Sequence, residues 1–174
     1  MPSSLTGQTP SIIKPLEFTM KYKRSACAGY AAALLLGMST LSLSAHAQFA
    51  KPEDAIKYRK GALNVMGAHF SRVAAMASGK APYDAKAAAE NAAIAESMAK
   101  LPWAAFAEGS DKGETKAKPE IWTDKARFAE SADKLQAELA KLSVAARVGT
   151  LDALKPAVSS VAGTCKNCHD NFRQ

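Results

Sequence analysis

The chemistry-bearing residues of the chain are Cys165, Cys168 and His169, a Cys-x-x-Cys-His pattern close to the C-terminus. This is the attachment pattern of a c-type haem. Two thiols three residues apart share one face of a helix, so both can reach the same edge of a porphyrin. Each thiol adds across a vinyl group there, and the neighbouring imidazole ligates the iron. We predict one covalent haem c per chain, attached through Cys165 and Cys168, with His169 as the iron ligand.

Two other kinds of site use a Cys-x-x-Cys pair, and the rest of the sequence disfavours both. A structural zinc site needs four ligands. Beyond the leader described below, the chain has only two cysteines and two histidines, His69 and His169. A thioredoxin-like dithiol needs a βαβ setting, and the sequence shows no strand pattern. Haem attachment is therefore the predicted chemistry.

The beginning of the chain has the organisation of a secretory leader. Lys21, Lys23 and Arg24 form a basic segment, an apolar run covers 26–43, and Ala45-His46-Ala47 is an Ala-x-Ala cleavage site. The apolar run is short for a membrane span, which favours a cleaved signal peptide over an uncleaved anchor. We predict an N-terminal extension and signal peptide that together end at Ala47.

Cleavage after Ala47 leaves a mature domain of 127 residues over 48–174. It removes four basic residues and one acidic residue, so the formal net charge falls from +7 to +4. It also removes Cys27, so the only remaining cysteines are those of the motif. No cluster of Lys and Arg with interleaved aromatic residues occurs, which argues against nucleic-acid binding. Because c-type haem is attached outside the bacterial cytoplasm, we predict a periplasmic protein with no membrane anchor in its mature form.

The first half of the mature chain reads as two amphipathic helices. Pro52 opens the first, and Asp84 caps the second, which runs to about Lys100. On each helix, one predicted inner face repeats every three or four residues. On the first helix this face comprises Ile56, Leu63, Met66, Phe70 and Val73. On the second helix it comprises Ala87, Asn91, Ile94, Met98 and Leu101.

The second half predicts two more helices. Thr123 is the predicted cap of the third helix, which Gly149 ends. Pro156 either marks the start of the fourth helix or bends it. The third inner face comprises Phe128, Ala132, Leu135, Leu139, Leu142 and Ala146. The fourth comprises Leu151, Leu154, Val158, Val161, Cys165, Cys168 and Phe172. The predicted fold is thus an all-α antiparallel four-helix bundle, with the covalently bound haem inside it near one end.

Two features near the predicted haem have alternative interpretations. Arg59 falls on the inner face of the first helix, where a cation needs a counter-charge. It either pairs with a haem propionate or extends to solvent at the end of the bundle. The loop over 101–122 is long for a bundle. It either covers one edge of the haem, with Thr115 and Lys116 near the propionates, or is a plain helix connection with a local aromatic cluster.

The residue opposite His169 across the iron decides the chemistry. Leu63 and Met66 lie on one face of the first helix, about one turn apart. Leu63 cannot ligate iron and would leave it open to small gases, whereas Met66 would give a low-spin electron-transfer centre. His69 falls off this face and is a weaker candidate.

A helical precursor with a leader, a C-terminal Cys-x-x-Cys-His and an Arg-Lys-x-x-Leu segment at 59–63 resembles cytochrome c′, a class II c-type cytochrome. The resemblance covers the whole mature chain. The segments 101–106 and 119–122 resemble betaproteobacterial members, and Pro156 departs from the family pattern. The resemblance implies a periplasmic homodimer built through the first two helices. It also implies a high-spin, five-coordinate haem with His169 as its sole protein ligand.

The resemblance further implies roles for residues around the haem. Leu63 matches the apolar residue that crowds the distal face, opposite His169. Arg173 matches a basic residue near the proximal face, and its position four residues after His169 allows it to share that face. The residues implied beside the haem edge are Arg59, Lys60, Thr115 and Lys116.

The function implied by the resemblance is that of a single-electron carrier whose open iron also binds nitric oxide or carbon monoxide. Nitric oxide binding and protection are often proposed for the family, and small redox proteins would be its partners. The alternative is a low-spin electron carrier with Met66 as the sixth ligand. An enzyme such as a peroxidase is disfavoured, because the inner face of the first helix supplies no acid–base histidine.

Overall fold

Four long helices and two short ones make up the secondary structure of residues 48–174, the part of the chain that the computed structural model describes. The predicted leader over 1–47 lies outside the described residues. The long helices are α1 (Pro52–Ala77), α2 (Ala85–Met98), α4 (Lys125–Val148) and α5 (Leu151–Phe172). A 3-10 helix (Trp103–Ala105) and the one-turn α3 (Glu120–Thr123) lie in the connection between α2 and α4.

The long helices begin and end at residues whose chemistry suits those positions. Pro52 occupies the first turn of α1, and the Asp84 carboxylate caps α2 by accepting the N–H of Ala87 at 2.9 Å. Gly149 ends α4 with φ of 78°, a left-handed conformation that a glycine adopts without a steric penalty. These predicted boundaries are confirmed.

The predicted cap of the third long helix was wrong by one residue. Asp124 caps α4, and its carboxylate accepts the N–H of Arg127 at 3.3 Å. Thr123 is instead the last residue of α3, and its hydroxyl donates to the carbonyl of Pro119. Thr123 therefore belongs to α3 and cannot also cap α4.

Pro156 lies inside α5 rather than at its start. The helix begins at Leu151, after Thr150 accepts the N–H of Ala153 at 3.3 Å. The interpretation that the fourth long helix starts at Pro156 is therefore wrong. Because proline has no N–H, the helix lacks one backbone hydrogen bond near its exposed N-terminal end.

The long helices form a ring in which each packs against two others. α1 packs against α2 and α5, and α4 packs against the same two helices. Short turns join α1 to α2 and α4 to α5, which gives the antiparallel four-helix bundle predicted from the sequence. The N-terminal half of α1 therefore lies beside the C-terminal half of α5. None of the helices in 48–174 combines the length and apolar character needed to cross a membrane.

The bundle core follows the predicted inner faces of α1, α4 and α5. Apolar side chains fully withdrawn from solvent include Val73 on α1, Leu139 and Leu142 on α4, and Leu154 and Val161 on α5. They belong to one continuous cluster with the alanines of α2. Burial of these side chains supplies most of the free energy that holds the four helices together.

The predicted inner face of α2 was wrong at Ile94 and Leu101, whereas Ala87 and Met98 pack against the core as predicted. Ile94 and Leu101 are each 39% exposed. The residues that face the core are alanines: Ala88, Ala92 and Ala95 within the helix, and Ala99 just after it. Because alanine occupies every side of this helix, its few larger residues set the predicted period. The small side chains let α1 and α4 approach closely, while Ile94 and Leu101 lie toward solvent.

Candidate haem-binding site

The motif cysteines lie near the C-terminal end of α5, and both are free thiols. Cys165 is half-buried and packs against the bundle core, and Cys168 is also half-buried. Burial raises the pKa of the Cys165 thiol, and the neighbouring Cys168 raises it further. Burial likewise raises the pKa of Cys168. Both thiols are thus uncharged at neutral pH.

His169 follows directly on the same helix and is more exposed than the two cysteines. Burial of its ring lowers the pKa of the imidazole, and the positive charge of Arg173 lowers it further. Asp170 opposes this shift. The neutral imidazole, whose nitrogen lone pair binds iron, is therefore the favoured form of His169 at neutral pH.

The inner face of α1 presents apolar side chains toward the bundle interior. Leu63 is half-buried against the core, and Met66 is 8% exposed and belongs to it. His69, the third candidate ligand, lies at the junction with α2. Its Nδ1 is 2.8 Å from Oδ1 of Asn91. That contact agrees with the prediction that His69 lies off the inner face.

Arg59 is almost completely buried, with 2% of its surface exposed. Nη1 donates to the carbonyl of Ala105 at 2.9 Å and to Oγ of Ser110 at 2.7 Å. Nη2 donates to the carbonyl of Ser110 at 2.7 Å and to Oγ1 of Thr115 at 3.0 Å. The alternative in which Arg59 extends to solvent is therefore wrong. Pairing of Arg59 with a propionate stays a prediction.

Aromatic rings complete the surroundings of the Arg59 guanidinium. Its central carbon lies 4.4 Å from the ring centre of Phe106 and 5.6 Å from that of Trp122. Burial lowers the pKa of Arg59, yet a guanidinium keeps its charge at physiological pH. These two rings pack with three more in an aromatic cluster, which comprises Trp103, Phe106, Trp122, Phe128 and Phe172.

The loop between the 3-10 helix and α3 contacts α1 directly. Ser110 and Thr115 in this loop accept hydrogen bonds from Arg59, and Lys60 Nζ donates to the carbonyl of Glu114 at 3.2 Å. Gly113 has φ of 101°, and a Cβ there would lie 3.6 Å from Cδ1 of Ile56. The loop thus lies directly on the N-terminal turns of α1, with Thr115 at the guanidinium of Arg59.

The same loop also pairs with the end of the chain. Ala117 and Arg173 form an antiparallel bridge. The N–H of Lys118 donates to the carbonyl of Phe172 at 3.0 Å, and the N–H of Gln174 donates to the carbonyl of Lys116 at 2.9 Å. The structure therefore brings five predicted site residues to the end of the bundle that carries the motif: Arg59, Lys60, Thr115, Lys116 and Arg173.

Sequence reasoning missed Ser110, the residue that binds Arg59 through both its carbonyl and its hydroxyl. It also missed the stacking of Phe106 and Trp122 on the guanidinium. A cation on an inner helix face signals that acceptors must exist, because a buried charge without partners is costly. The sequence cannot indicate which loop residue, 51 positions away, provides them.

The residues of this site fit a covalent haem. Two half-buried thiols and a neutral imidazole occupy the last turns of α5, and Leu63 and Met66 form an apolar wall on the adjacent α1. The cations Lys60 and Lys116, both exposed, suit the two carboxylates of the porphyrin. Residues 48–174 contain no group of three or more His, Cys, Asp or Glu side chains that could hold a metal ion directly.

An antiparallel bundle that bears a haem-attachment motif on its last helix defines a class of helical c-type cytochromes. A family model described as cytochrome c′ matches residues 54–173. The chain is 51% identical to cytochrome c′ of Rubrivivax gelatinosus over 128 residues, which is 73% of this chain and 99% of the relative. It is 46% identical to that of Alcaligenes xylosoxydans, over 73% of this chain and 98% of the relative. The chain belongs to the cytochrome c′ family, and its cofactor is one haem c held covalently through Cys165 and Cys168.

Solved structures of the family have the same fold. The crystal structure of the Rubrivivax gelatinosus protein superimposes with a TM-score of 0.71 at 51% identity, over 73% of this chain and all of that one. A nitric oxide complex of a point mutant of the Alcaligenes xylosoxidans protein superimposes with a TM-score of 0.68 at 44% identity. That match covers 73% of this chain and 98% of the other.

Proposed function

We propose that this chain is a periplasmic, high-spin haem protein that carries single electrons and binds nitric oxide or carbon monoxide at an open iron. The observation that carries the proposal is the inner face of α1, the helix that packs against α5. Leu63 lies on that face one turn after Arg59 and offers no atom that ligates iron. Haem c supplies an iron that exchanges one electron and binds diatomic gases.

Sterics and polarity would give this site its selectivity. Leu63 would crowd the iron on the side opposite His169, so a gas must bind strongly enough to displace an isobutyl side chain. The apolar wall offers no hydrogen bond to dioxygen, which disfavours its binding. The nitric oxide complexes of the Alcaligenes xylosoxidans variants support this gas as the ligand. We assign binding and electron transfer rather than an enzymatic activity.

The alternative function is that of a low-spin electron carrier in which Met66 ligates the iron. The observation that favours it is the burial of Met66 on the same face of α1, where its thioether faces the bundle core. In that case the sixth position would be filled, and gases would bind only after the thioether leaves the iron.

The optical spectrum of the purified mature protein distinguishes these two functions. It would be recorded in the oxidised and dithionite-reduced states, before and after addition of nitric oxide, for the wild type, Leu63→Ala and Met66→Leu. We expect broad high-spin bands that shift with nitric oxide, faster binding in Leu63→Ala, and no change of spin state in Met66→Leu. Sharp low-spin bands that become high-spin only in Met66→Leu would favour the electron carrier.

The remaining site residues have proposed roles around the haem. We propose His169 as the sole protein ligand of the iron and Arg173 as a cation on the same, proximal side. The cations Lys60 and Lys116 would neutralise the propionates together with Arg59, and Thr115 would share this edge. His169→Ala is the direct test of the ligand. We expect attached haem without the spectral signature of an iron–imidazole bond.

We further propose that the protein is a homodimer that associates through α1 and α2. The support is an exposed apolar surface on these helices, comprising Tyr58, Val65, Ile94 and Leu101. Sedimentation of the wild type and Ile94→Lys would test the proposal, with Val144→Lys, an exposed apolar site on α4, as the matched control. We expect a dimer for the wild type and the control, and a monomer for Ile94→Lys. A monomeric wild type would overturn this assignment.

Export of the chain is the last part of this proposal. The basic segment, apolar run and Ala-x-Ala sequence at 21–47 support cleavage after Ala47. The intact mass of the protein isolated from the periplasmic fraction would test it. The expected mass is that of a chain that begins at Gln48 and carries one haem. A full-length mass in the membrane fraction would favour an uncleaved anchor.

A further inference from the structure

The segment Thr115–Lys118 forms two backbone hydrogen bonds with the C-terminal residues. The N–H of Gln174 donates to the carbonyl of Lys116, and the N–H of Lys118 donates to the carbonyl of Phe172. The side chain of Lys118 adds a third contact, because Nζ donates to the carbonyl of Asp170 at 2.9 Å. This carbonyl belongs to the last turn of α5 and has no partner within the helix. The segment therefore holds the last turn of α5 from outside the bundle.

The inner side of the same turn is also fixed. Phe172 is 3% exposed, and its ring centre lies 5.3 Å from that of Phe128 on α4. The N–H of Arg173 donates to the carbonyl of His169 at 3.0 Å. Helix ends ordinarily fray, whereas this end, which contains His169, is held on two sides.

The other end of the segment reaches α1 through one hydroxyl group. Oγ1 of Thr115 accepts Nη2 of Arg59 at 3.0 Å and the N–H of Ala117 at 3.1 Å. Arg59 is the residue one turn before Leu63 on α1. A short chain of contacts therefore runs from the helix that carries Leu63 to the helix end that carries His169.

We propose that Thr115–Lys118 is a positioning strap for His169, which it couples to α1 through the hydroxyl of Thr115. The inference rests on the proposed role of His169 as the iron ligand. A strap that fixes the last turn of α5 fixes the position of the imidazole relative to the bundle, as outer-shell contacts do for metal-ligating histidines. A displacement of α1 that moves Arg59 also pulls on this strap, so events on the Leu63 side reach the His169 side through Thr115.

The backbone pairing is tested at the last residue of the chain. Gln174→Pro removes the N–H that donates to Lys116, and Gln174→Ala keeps it as the matched control. Arg173 has φ of −129° and ψ of 134°, a conformation that a following proline accepts without strain. Amide hydrogen exchange would be measured in the haem-loaded protein. In Gln174→Pro the Phe172 and Arg173 amides should exchange roughly 2–10-fold faster, the effect of one lost hydrogen bond, and in Gln174→Ala they should not.

The coupling to α1 is tested at Thr115. Thr115→Val removes the hydroxyl at nearly constant volume, and Thr115→Ser restores it. Thr123→Val removes the hydroxyl of an exposed threonine on α3 and is the control. The readout is the iron–histidine stretching band of the reduced protein, recorded by resonance Raman spectroscopy. We expect a shifted or broadened band in Thr115→Val and Gln174→Pro, and a wild-type band in Thr115→Ser, Gln174→Ala and Thr123→Val.

The outcomes separate the strap from the proposed function. If the wild type has an iron–histidine band that Thr115→Val and Gln174→Pro leave unchanged, the strap does not position His169 and the inference is overturned. If the band shifts in Gln174→Pro but not in Thr115→Val, the C-terminal pairing stands and the coupling to α1 is overturned. A wild type without this band would contradict His169 as the ligand, and the inference would fall with it.

Discussion

The two ends of the bundle are built from different kinds of interaction. The far end, comprising Val73, Met76, Ala88, Leu142, Ala146 and Leu154, is built mainly from apolar side chains in close contact and contains no buried charge. Its buried polar groups include the hydroxyls of Ser143 and Tyr83. The motif end, comprising Arg59, Ser110, Thr115 and the aromatic cluster, places a buried cation among carbonyls, hydroxyls and rings. Apolar contacts tolerate exchange of similar side chains, whereas directional hydrogen bonds specify one arrangement.

Because of this difference, we expect substitutions at the two ends to affect different properties of the protein. Substitutions at the far end should lower the free energy of unfolding without changing the haem spectrum, because those residues lie at the opposite end of the helices from the motif. Substitutions at the motif end should change the spectrum even where the loss of stability is modest. The predictions below test this separation, from the largest expected effect on stability to the smallest.

Leu142→Ala should have the largest effect on stability. Leu142 is fully buried at the far end, and its truncation leaves a cavity that costs about 2–5 kcal/mol. Urea unfolding of the haem-loaded protein would measure the loss. Val144→Ala is the control, since Val144 is 57% exposed on the same helix and its truncation should change stability by less than about 0.5 kcal/mol. A changed haem spectrum in Leu142→Ala would contradict the separation of the two ends.

Arg59→Met should lower the free energy of unfolding less than Leu142→Ala does, but it should change the haem spectrum. The substitution keeps an apolar chain but removes the donor to Ala105, Ser110 and Thr115. The Ala105 carbonyl keeps a hydrogen bond from Ser110 Oγ and Thr115 Oγ1 keeps one from the N–H of Ala117, so the Ser110 carbonyl is the acceptor left without a partner, at a cost of roughly 1–3 kcal/mol. Arg72→Met is the matched control, because Arg72 is exposed on the same helix. Urea unfolding and the optical spectrum would be compared in both variants. An unchanged spectrum in Arg59→Met would show that the cation serves the loop alone.

Ala92→Leu should destabilise the interface of α2 without reaching the site. Ala92 has no exposed surface, and added methylene groups at a packed position cost about 1–3 kcal/mol. Ala93→Leu, at the exposed neighbouring position, is the control and should unfold like the wild type. Thermal unfolding would measure both variants. Equal melting temperatures would mean that α2 packs more loosely than its alanines indicate.

Periodicity predicted the helices well where large apolar residues alternate with charged ones. The inner faces of α4 and α5 follow from this pattern, since Leu135, Leu139 and Leu142 recur against lysines and acids. The same reasoning failed on α2, where alanine on all sides carries no period and the larger Ile94 lies outside. A pattern indicates a face only when the opposite face differs from it.

The site was predictable in its chemistry and only partly in its contacts. Cys165, Cys168 and His169 form a local motif, so the attachment site follows from adjacent residues alone. The partners of Arg59 lie 46 to 56 residues away, in a loop without periodicity, and depend on how the chain folds back. The sequence also cannot decide between two adjacent residues that could each cap the same helix. Both Thr123 and Asp124 suit a helix cap, and the short α3 decides between them.

Both ends of the described chain contact one loop. A Cβ at Gly109 would lie 3.8 Å from Cγ of Pro52, and Lys116 pairs with Gln174 a few residues later. The first and last residues of the bundle thus belong to the same end, opposite the turn that joins α1 to α2. A circularly permuted form of residues 48–174 that joins 174 to 48 by a flexible linker and opens within 78–84 would keep every contact of the motif end. Force applied at residues 48 and 174 would instead load the motif end first and the far end last.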